Sequence, residues 1–154
     1  MNIVIVGATG NVGRKTLEVL EKKELQFENL YLVASSKSVG KKINFKDKEI
    51  EVTDLENFDF SKVKIAFFAA GGKISEKFAE KAAKKCLVID NSSYFRMDPD
   101  VPLIVPQVNS NHLSSIRKNI IANPNCSTAQ LVIALKPLHD LFTIKRVVVS
   151  TYQS

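Results

Sequence analysis

The chain has 154 residues, of which 45% are hydrophobic and 25% are charged, and this length and composition predict one globular domain rather than two. No apolar run approaches the length of a membrane span, and two cysteines are too few for a disulfide or metal framework. The net charge is +6, and lysines are concentrated over residues 37–48. It indicates a solvated face that attracts a phosphorylated small molecule, because the sequence lacks the aromatic-interleaved basic patch and zinc-finger spacing of nucleic-acid binders.

The first residues predict a strand followed by a glycine turn and a helix. Residues 2–6 are β-rich with no basic region before them, so we expect a strand rather than a signal peptide, and a cytoplasmic protein. A strand, a glycine turn and a helix form the context of a dinucleotide-binding fingerprint. Gly7 allows the tight turn, Gly10 lets a pyrophosphate approach the backbone, and Gly13 lets the helix pack closely on the strand. One face of the helix is predicted to carry Val12, Thr16, Val19 and Leu20.

The second strand, predicted over residues 30–34, ends in a loop that bears on the choice of cofactor. An NAD site carries Asp or Glu here to hold the ribose 2′-hydroxyl. This loop has no acid, and instead offers the hydroxyls of Ser35, Ser36 and Ser38 and the cation of Lys37. These groups suit a 2′-phosphate, so we predict NADP rather than NAD; the alternative is an ordinary polar loop.

The middle of the chain predicts a third buried strand. Residues 39–62 are lysine-rich and polar, and they indicate only a short antiparallel excursion. Residues 63–70 are apolar, which suggests a fully buried parallel strand. Its end at Ala70, Gly71 and Gly72 has almost no side chain, so a flat ligand could lie against the backbone there. Apolar residues at helical spacing then predict a helix.

A polar loop over residues 90–98 follows a buried strand over residues 86–89, in which Cys86 is predicted to be a core residue. Loops at the carboxyl ends of parallel strands line the ligand crevice of doubly wound sheets. Asn91 and Arg96 are therefore candidate binding residues, and the planar guanidinium suits phosphate or carboxylate. The alternative for the arginine is a surface ion pair with Asp98 or Asp100.

Three short features follow. Residues 103–105 predict a strand and residues 106–109 a small helix, while His112 and His139 fall on polar helical positions and are treated as surface residues. A valine-rich strand is predicted over residues 144–150, and an unpaired strand of this kind is an association hazard.

The stretch around Cys126 is the candidate catalytic element. Asn123 is biased toward an extended backbone by Pro124, which itself cannot sit inside a helix. The chain therefore turns, and a helix is predicted to start at or just after Cys126, where unpaired N–H groups and the helix dipole stabilise a thiolate. Position alone does not exclude a small buried apolar residue. The helical stripe is Leu131, Ala134, Leu135 and Leu138.

These motifs resemble those of the N-terminal portion of aspartate-semialdehyde dehydrogenases, along essentially the whole chain and in the same order. Two motifs are highly specific: Asp-Asn-Ser-Ser-x-Phe-Arg-Met from Asp90 and Asn-Pro-Asn-Cys-Ser-Thr from Asn123. The others are Val-Gly-Ala-Thr-Gly-Asn-Val-Gly from Val6, Ala-Ser-Ser-Lys-Ser from Ala34, Ala-Ala-Gly-Gly from Ala69, Pro-Gln-Val-Asn from Pro106 and Thr-Tyr-Gln-Ser from Thr151.

The resemblance implies a Rossmann-type α/β fold with a doubly wound parallel sheet, an NADP-binding domain over residues 1–123, and the start of a catalytic and dimerisation domain over residues 124–154. It also implies Cys126 as nucleophile with Asn125 positioning the carbonyl, a phosphate site at Arg96, and substrate positioning by Gln153. The expected cofactor-binding residues are Gly7, Thr9, Gly10, Asn11, Val12, Gly13, Ser35, Ser36, Lys37, Ser38, Ala70, Gly71 and Gly72.

The implied reaction is reduction of 4-phospho-L-aspartate by NADPH to aspartate 4-semialdehyde and phosphate, in lysine, threonine, methionine and diaminopimelate biosynthesis, by a homodimer. Two residues depart from the family pattern. Lys37 stands where many relatives have arginine, which keeps the charge but loses the bidentate fork, and Gln107 replaces a common glutamate. Because the family's catalytic histidine lies on a later segment, we expect this polypeptide alone to have little activity.

Three alternatives stay open. A nucleotide-binding module would bind NADP and leave Cys126 unreactive. An N-acetylglutamyl-phosphate reductase usually has glycine before its nucleophile, so Asn125 argues against that family. A nucleic-acid binder would bind DNA in a salt-sensitive way in preference to NADP.

Overall fold

The computed structural model describes residues 1–152 of the chain. Its strands are β1 (Ile3–Val6), β2 (Leu30–Ala34), β3 (Lys42–Phe45), β4 (Lys48–Asp54), β5 (Ile65–Phe68), β6 (Leu87–Asp90) and β7 (Ile120–Ala122). Its helices are α1 (Asn11–Lys22), α2 (Gly72–Ala83), α3 (Pro106–Asn109) and α4 (Cys126–Phe142), with short 3-10 turns at Ser36–Ser38, Phe60–Lys62 and Ser110–Ser115.

The seven strands form one sheet in the order β3-β4-β2-β1-β5-β6-β7. Every neighbouring pair is parallel except β3 and β4. The strand order reverses between β1 and β5, so this is the switch point of a doubly wound sheet, where ligands bind. The predicted Rossmann-type α/β fold is confirmed.

The central strands are apolar runs because helices cover both faces of the sheet. All four residues of β1 are buried. One hydrophobic cluster, which includes Phe68, packs beneath α2 and also takes in Phe78. The other cluster packs beneath α1 and joins Leu17 to Leu32 of β2. No helix among residues 1–152 is both long and apolar enough to cross a membrane.

The buried face of α1 differs from the predicted one. Gly13, Leu17 and Leu20 are buried, whereas Val12 and Val19 are 52% and 45% exposed. The helix is rotated because Gly13 must lie against the glycine turn, where no side chain fits. The sequence pattern could not show this, since valine and leucine occur on both faces.

Two strand predictions also need correction. The polar region over residues 39–62 does form an antiparallel hairpin, but β4 also pairs in parallel with β2, with Leu32 opposite Val52. Residues 103–105 form only a single bridge, between Leu103 and Ala122. Pro102 lacks an N–H and Pro106 opens α3, so the ladder cannot extend.

The segment after β7 is a helix as predicted, but the strand expected over residues 144–150 is absent from the described part of the chain. A strand needs a partner for its backbone groups, and these residues pair with no strand among residues 1–152. No residue of α4 is buried, and Leu141, Phe142 and Val148 are 75%, 76% and 78% exposed. The apolar stripe of α4 is therefore helical but lies outside both core clusters.

Candidate active site

The register of the sheet aligns the ends of five strands. Val33 of β2, Val6 of β1, Phe68 of β5, Asp90 of β6 and Ala122 of β7 form one row of register partners. The residue after each of the last four therefore begins a loop at the same edge of the sheet. Three strand spacings, about 15 Å, separate β1 from β7 along this edge.

The glycine turn after β1 packs without room for side chains. Gly7 has φ +84°, and a Cβ there would lie 2.8 Å from the Ala69 carbonyl oxygen. A Cβ on Gly13 would lie 2.2 Å from the Gly7 carbonyl oxygen. The close packing expected at Gly13 is therefore present. Gly10 is less crowded, with its nearest contact at 3.4 Å, and it caps the N-terminus of α1.

A cavity of about 390 Å³ opens beside this turn, at the switch point of the sheet. A flat group could enter it, because its walls at the strand ends are backbone and small side chains. Asn11 and Val12, at the start of α1, and Gly71 are exposed, and Gly72 begins α2. The lining residues are Gly7, Thr9, Gly10, Ala34, Ser35, Leu55, Ala69, Ala70 and Ile74.

The loop after β2 meets the glycine turn. Ser35, Ser36 and Lys37 are exposed, while Ser38 is buried and its hydroxyl lies 3.3 Å from the Thr9 hydroxyl. The acid opposite Ala34 is Asp54, and its carboxylate accepts hydrogen bonds within its own turn, from Glu56 N and Asn57 Nδ2.

Asp90 anchors the polar loop after β6. Its carboxyl group is fully buried and accepts hydrogen bonds from the hydroxyls of Ser75 and Ser92, both at 2.6 Å. The Ser92 N–H also donates to it, at 3.2 Å. The loop is therefore held at its base by α2 as well as by β6. Sequence reasoning gave Asp90 no role, because burial of an acid is not visible in a polar motif.

Arg96 joins this loop to the loop that carries Cys126. Its Nε donates to the carbonyl of Asn123 at 3.0 Å, and its Nη2 donates to the carbonyl of Asn91 at 3.2 Å. Asn123 also donates its side-chain amide to Asn91 Oδ1 at 2.7 Å. The alternative of an ion pair is wrong, because Lys118 pairs with Asp98 and Arg117 with Asp100.

Cys126 is the first residue of α4, as predicted. Asn125 caps the helix, since its side-chain oxygen accepts from the Ser127 N–H at 3.0 Å, and the Cys126 sulfur lies 3.9 Å from that oxygen. Cys126 is exposed, so the alternative of a buried core cysteine does not hold. Gln153 lies outside the described residues, Gln107 is exposed on α3, and both histidines lie at the surface as expected.

The two cysteines should differ sharply in reactivity. Cys86 is 4% exposed, and burial raises the pKa of its thiol to about 11, so very little thiolate exists near neutral pH. Iodoacetamide should therefore alkylate the folded chain once, at Cys126, and twice in urea. Peptide mass mapping measures this, and Cys126→Ser is the control that should remove the folded-state product. Equal labelling of Cys86 in the folded chain would contradict the expectation.

The chain resembles known proteins in sequence and in structure. A family model described as the NAD-binding domain of semialdehyde dehydrogenase matches residues 2–116. Aspartate-semialdehyde dehydrogenase of Legionella pneumophila is 51% identical over 156 residues, which is 100% of this chain and 45% of that protein. The crystal structure of aspartate semialdehyde dehydrogenase II from Vibrio cholerae, complexed with ASA, superposes with a TM-score of 0.88 at 50% identity, covering 90% of this chain and 46% of that one.

A more distant relative is the enzyme of Candida albicans, solved with NADP, with a TM-score of 0.76 at 29% identity over 93% of this chain and 48% of that one. The fold, the glycine turn and the matched domain define a nicotinamide-dinucleotide-binding domain of the semialdehyde dehydrogenase class. Within that class, the chain belongs to the aspartate-semialdehyde dehydrogenase family. It spans about half the length of the curated relatives it matches.

Proposed function

We propose that the whole protein reduces 4-phospho-L-aspartate to L-aspartate 4-semialdehyde and phosphate, with NADPH as reductant. The observation that supports this most is the hydrogen bond from Arg96 to Asn123, three residues before Cys126. It sets a cation suited to phosphate beside the loop of an exposed cysteine, at the sheet edge that also carries the glycine turn. The relatives named above include one complexed with ASA and one with NADP.

The residues of this chain would carry the covalent half of the reaction. The Cys126 thiolate attacks the acyl carbon, and the bond from that carbon to the phosphate oxygen breaks, with its electron pair leaving on phosphate. Arg96 would hold the departing phosphate through its guanidinium N–H groups, Asn91 would contribute to the substrate site, and Asn125 would orient the carbonyl. NADPH, when bound, supplies the hydride that reduces the thioester. We also assign substrate positioning to Gln153.

The test isolates this half-reaction. Mixed with 4-phospho-L-aspartate in the absence of NADPH, the whole protein should release inorganic phosphate in proportion to protein and gain an aspartyl adduct on Cys126, seen by intact mass. Cys126→Ser should release none above the rate of spontaneous hydrolysis. NADP binding without adduct formation would identify a nucleotide-binding module instead and would contradict the proposed chemistry.

We propose NADP rather than NAD as the cofactor, held over the cavity beside the glycine turn. The hydroxyls of Thr9, Ser36 and Ser38 and the cation of Lys37 would surround the 2′-phosphate, while the Gly10 backbone and the N-terminus of α1 would meet the pyrophosphate. The remaining contacts we assign to Gly7, Asn11, Val12, Gly13, Ser35, Ala70, Gly71 and Gly72.

Reversing the charge at Lys37 should weaken NADP binding selectively. Lys37→Glu replaces attraction to the 2′-phosphate by repulsion, so NADP affinity should fall about tenfold or more while NAD affinity stays nearly unchanged. Isothermal titration calorimetry with both nucleotides measures this. Lys48→Glu is the matched control. Lys48 is exposed at the first residue of β4, whereas the last residue of that strand, Asp54, pairs with Ala34 just before the loop of Lys37. An unchanged NADP affinity in Lys37→Glu would contradict the cofactor assignment.

We further propose that residues 1–123 form the cofactor domain and that residues 124–154 belong to a second, catalytic and dimerisation unit, with the whole protein a homodimer. In support, both core clusters are built entirely from residues before Asn123, and α4 buries none of its residues.

A further inference from the structure

The end of the glycine turn carries a cation that the sequence motifs did not single out. Arg14 lies in the first turns of α1 and is exposed. Its Nε donates to the carbonyl oxygen of Thr9 at 3.2 Å, so the exposed side chain folds back toward the turn. Thr9 in turn contacts Ser38 through the two hydroxyls, at 3.3 Å. Arg14 is thereby linked to the loop that carries Lys37.

The charge of Arg14 is not neutralised by a carboxylate of residues 1–152. Glu18, one helical turn further along α1, pairs with Lys15 at 2.7 Å and with Lys22 at 2.8 Å. Those two lysines hold the pKa of Glu18 down to about 2, so the acid stays ionised and engaged with them. A guanidinium has five N–H donors, and the bond to Thr9 uses one.

We propose that Arg14 contacts the 2′-phosphate of NADP and supplies the bidentate fork that Lys37 lacks. Lysine is a compact point charge, whereas arginine presents paired donors that match two phosphate oxygens. The Nε bond to Thr9 orients the guanidinium at the turn, and the Thr9–Ser38 contact brings the hydroxyls of both loops to the same place. This inference rests on the proposed NADP preference and names a further specificity residue of that site.

Calorimetric titration of the chain with NADP and with NAD tests the role of Arg14 without relying on turnover. In Arg14→Gln, NADP affinity should fall about tenfold, the usual effect of losing a charged hydrogen bond, while NAD affinity stays within about twofold. Arg14→Lys should give an intermediate loss, because it keeps the charge and loses the fork. Lys15→Gln removes one charge from the next position of α1 and should leave both affinities unchanged.

The outcomes separate the two proposals. A wild-type chain that binds NAD as tightly as NADP, or binds neither, contradicts the proposed cofactor. A wild-type chain that prefers NADP, together with an unchanged Arg14→Gln, overturns only the role of Arg14. Equal losses of NADP and NAD affinity in Arg14→Gln would also overturn it, since they would show that the arginine only braces the Thr9 carbonyl. Thermal unfolding of each variant confirms that the domain is folded.

Discussion

Gly7→Ala should lower the free energy of unfolding by about 3 kcal/mol, the sum of two separate costs. The backbone at Gly7 has φ +84°, which penalises any residue with a Cβ. The added methyl would also meet the Ala69 carbonyl oxygen and the Ala70 Cβ, both at 2.8 Å, so β5 would have to move away from the turn. Urea unfolding measured by circular dichroism gives the free energy directly.

Gly40→Ala separates the two costs. Gly40 has φ +80°, yet a Cβ there meets nothing within 4 Å. The Gly40→Ala variant should therefore lose only the backbone contribution to the free energy of unfolding, about 1 kcal/mol. If both variants lost the same amount, the close approach between the glycine turn and the end of β5 would contribute nothing to stability, and the packing argument would be wrong.

Asp90→Ala should lower the free energy of unfolding by about 3 kcal/mol, because it leaves two buried hydroxyl donors without an acceptor. The Ser75 side chain is fully buried and the Ser92 side chain nearly so, and both hydroxyls donate to the Asp90 carboxyl group. The loop that holds Arg96 would lose its anchor to α2 at the same time. Chemical denaturation again measures the loss.

Asp100→Ala is the matched control for the buried acid. Asp100 makes an ion pair with Arg117 in which the two side chains are 46% and 76% exposed. Exposed pairs of this kind contribute less than about 1 kcal/mol, so the control should be close to wild type in stability. A similar small loss in Asp90→Ala would show that the buried hydroxyls find other partners, and would contradict the anchoring role.

The sequence alone predicted the elements that depend only on residues close together in the chain. The glycine turn, β2 and the start of α4 at Cys126 follow from turn chemistry, a short apolar run and a proline, and the structure has them where they were expected. The face of α1 was mispredicted because Gly13 fixes it through a contact with Gly7, and a contact between two glycines leaves no hydrophobic pattern.

Long-range pairings account for the remaining differences. The place of β4 in the main sheet depends on its partner β2, and the apolar alternation at Ile50 and Val52 within a polar region suggested only a short antiparallel excursion. Arg96 donates to the backbone carbonyl of Asn123, which lies 27 residues away on another loop, and no side-chain pattern records such a partner. Residues 144–150 have the composition of a strand, but composition cannot supply the neighbour that a strand requires.

The aligned strand ends fix the distance between the glycine turn and the loop that carries Cys126. Gly7 and Asn123 begin loops on strands three positions apart, and hydrogen bonding across the sheet holds that spacing whatever the loops contain. Loop substitutions can therefore change the groups presented at this edge, whereas inserting a single residue into β5 or β6 would break the register that aligns the two loops. In this fold the distance from the glycine turn to the loop of Cys126 is set by the backbone hydrogen bonds of the sheet, and the loop side chains determine which chemical groups face that gap.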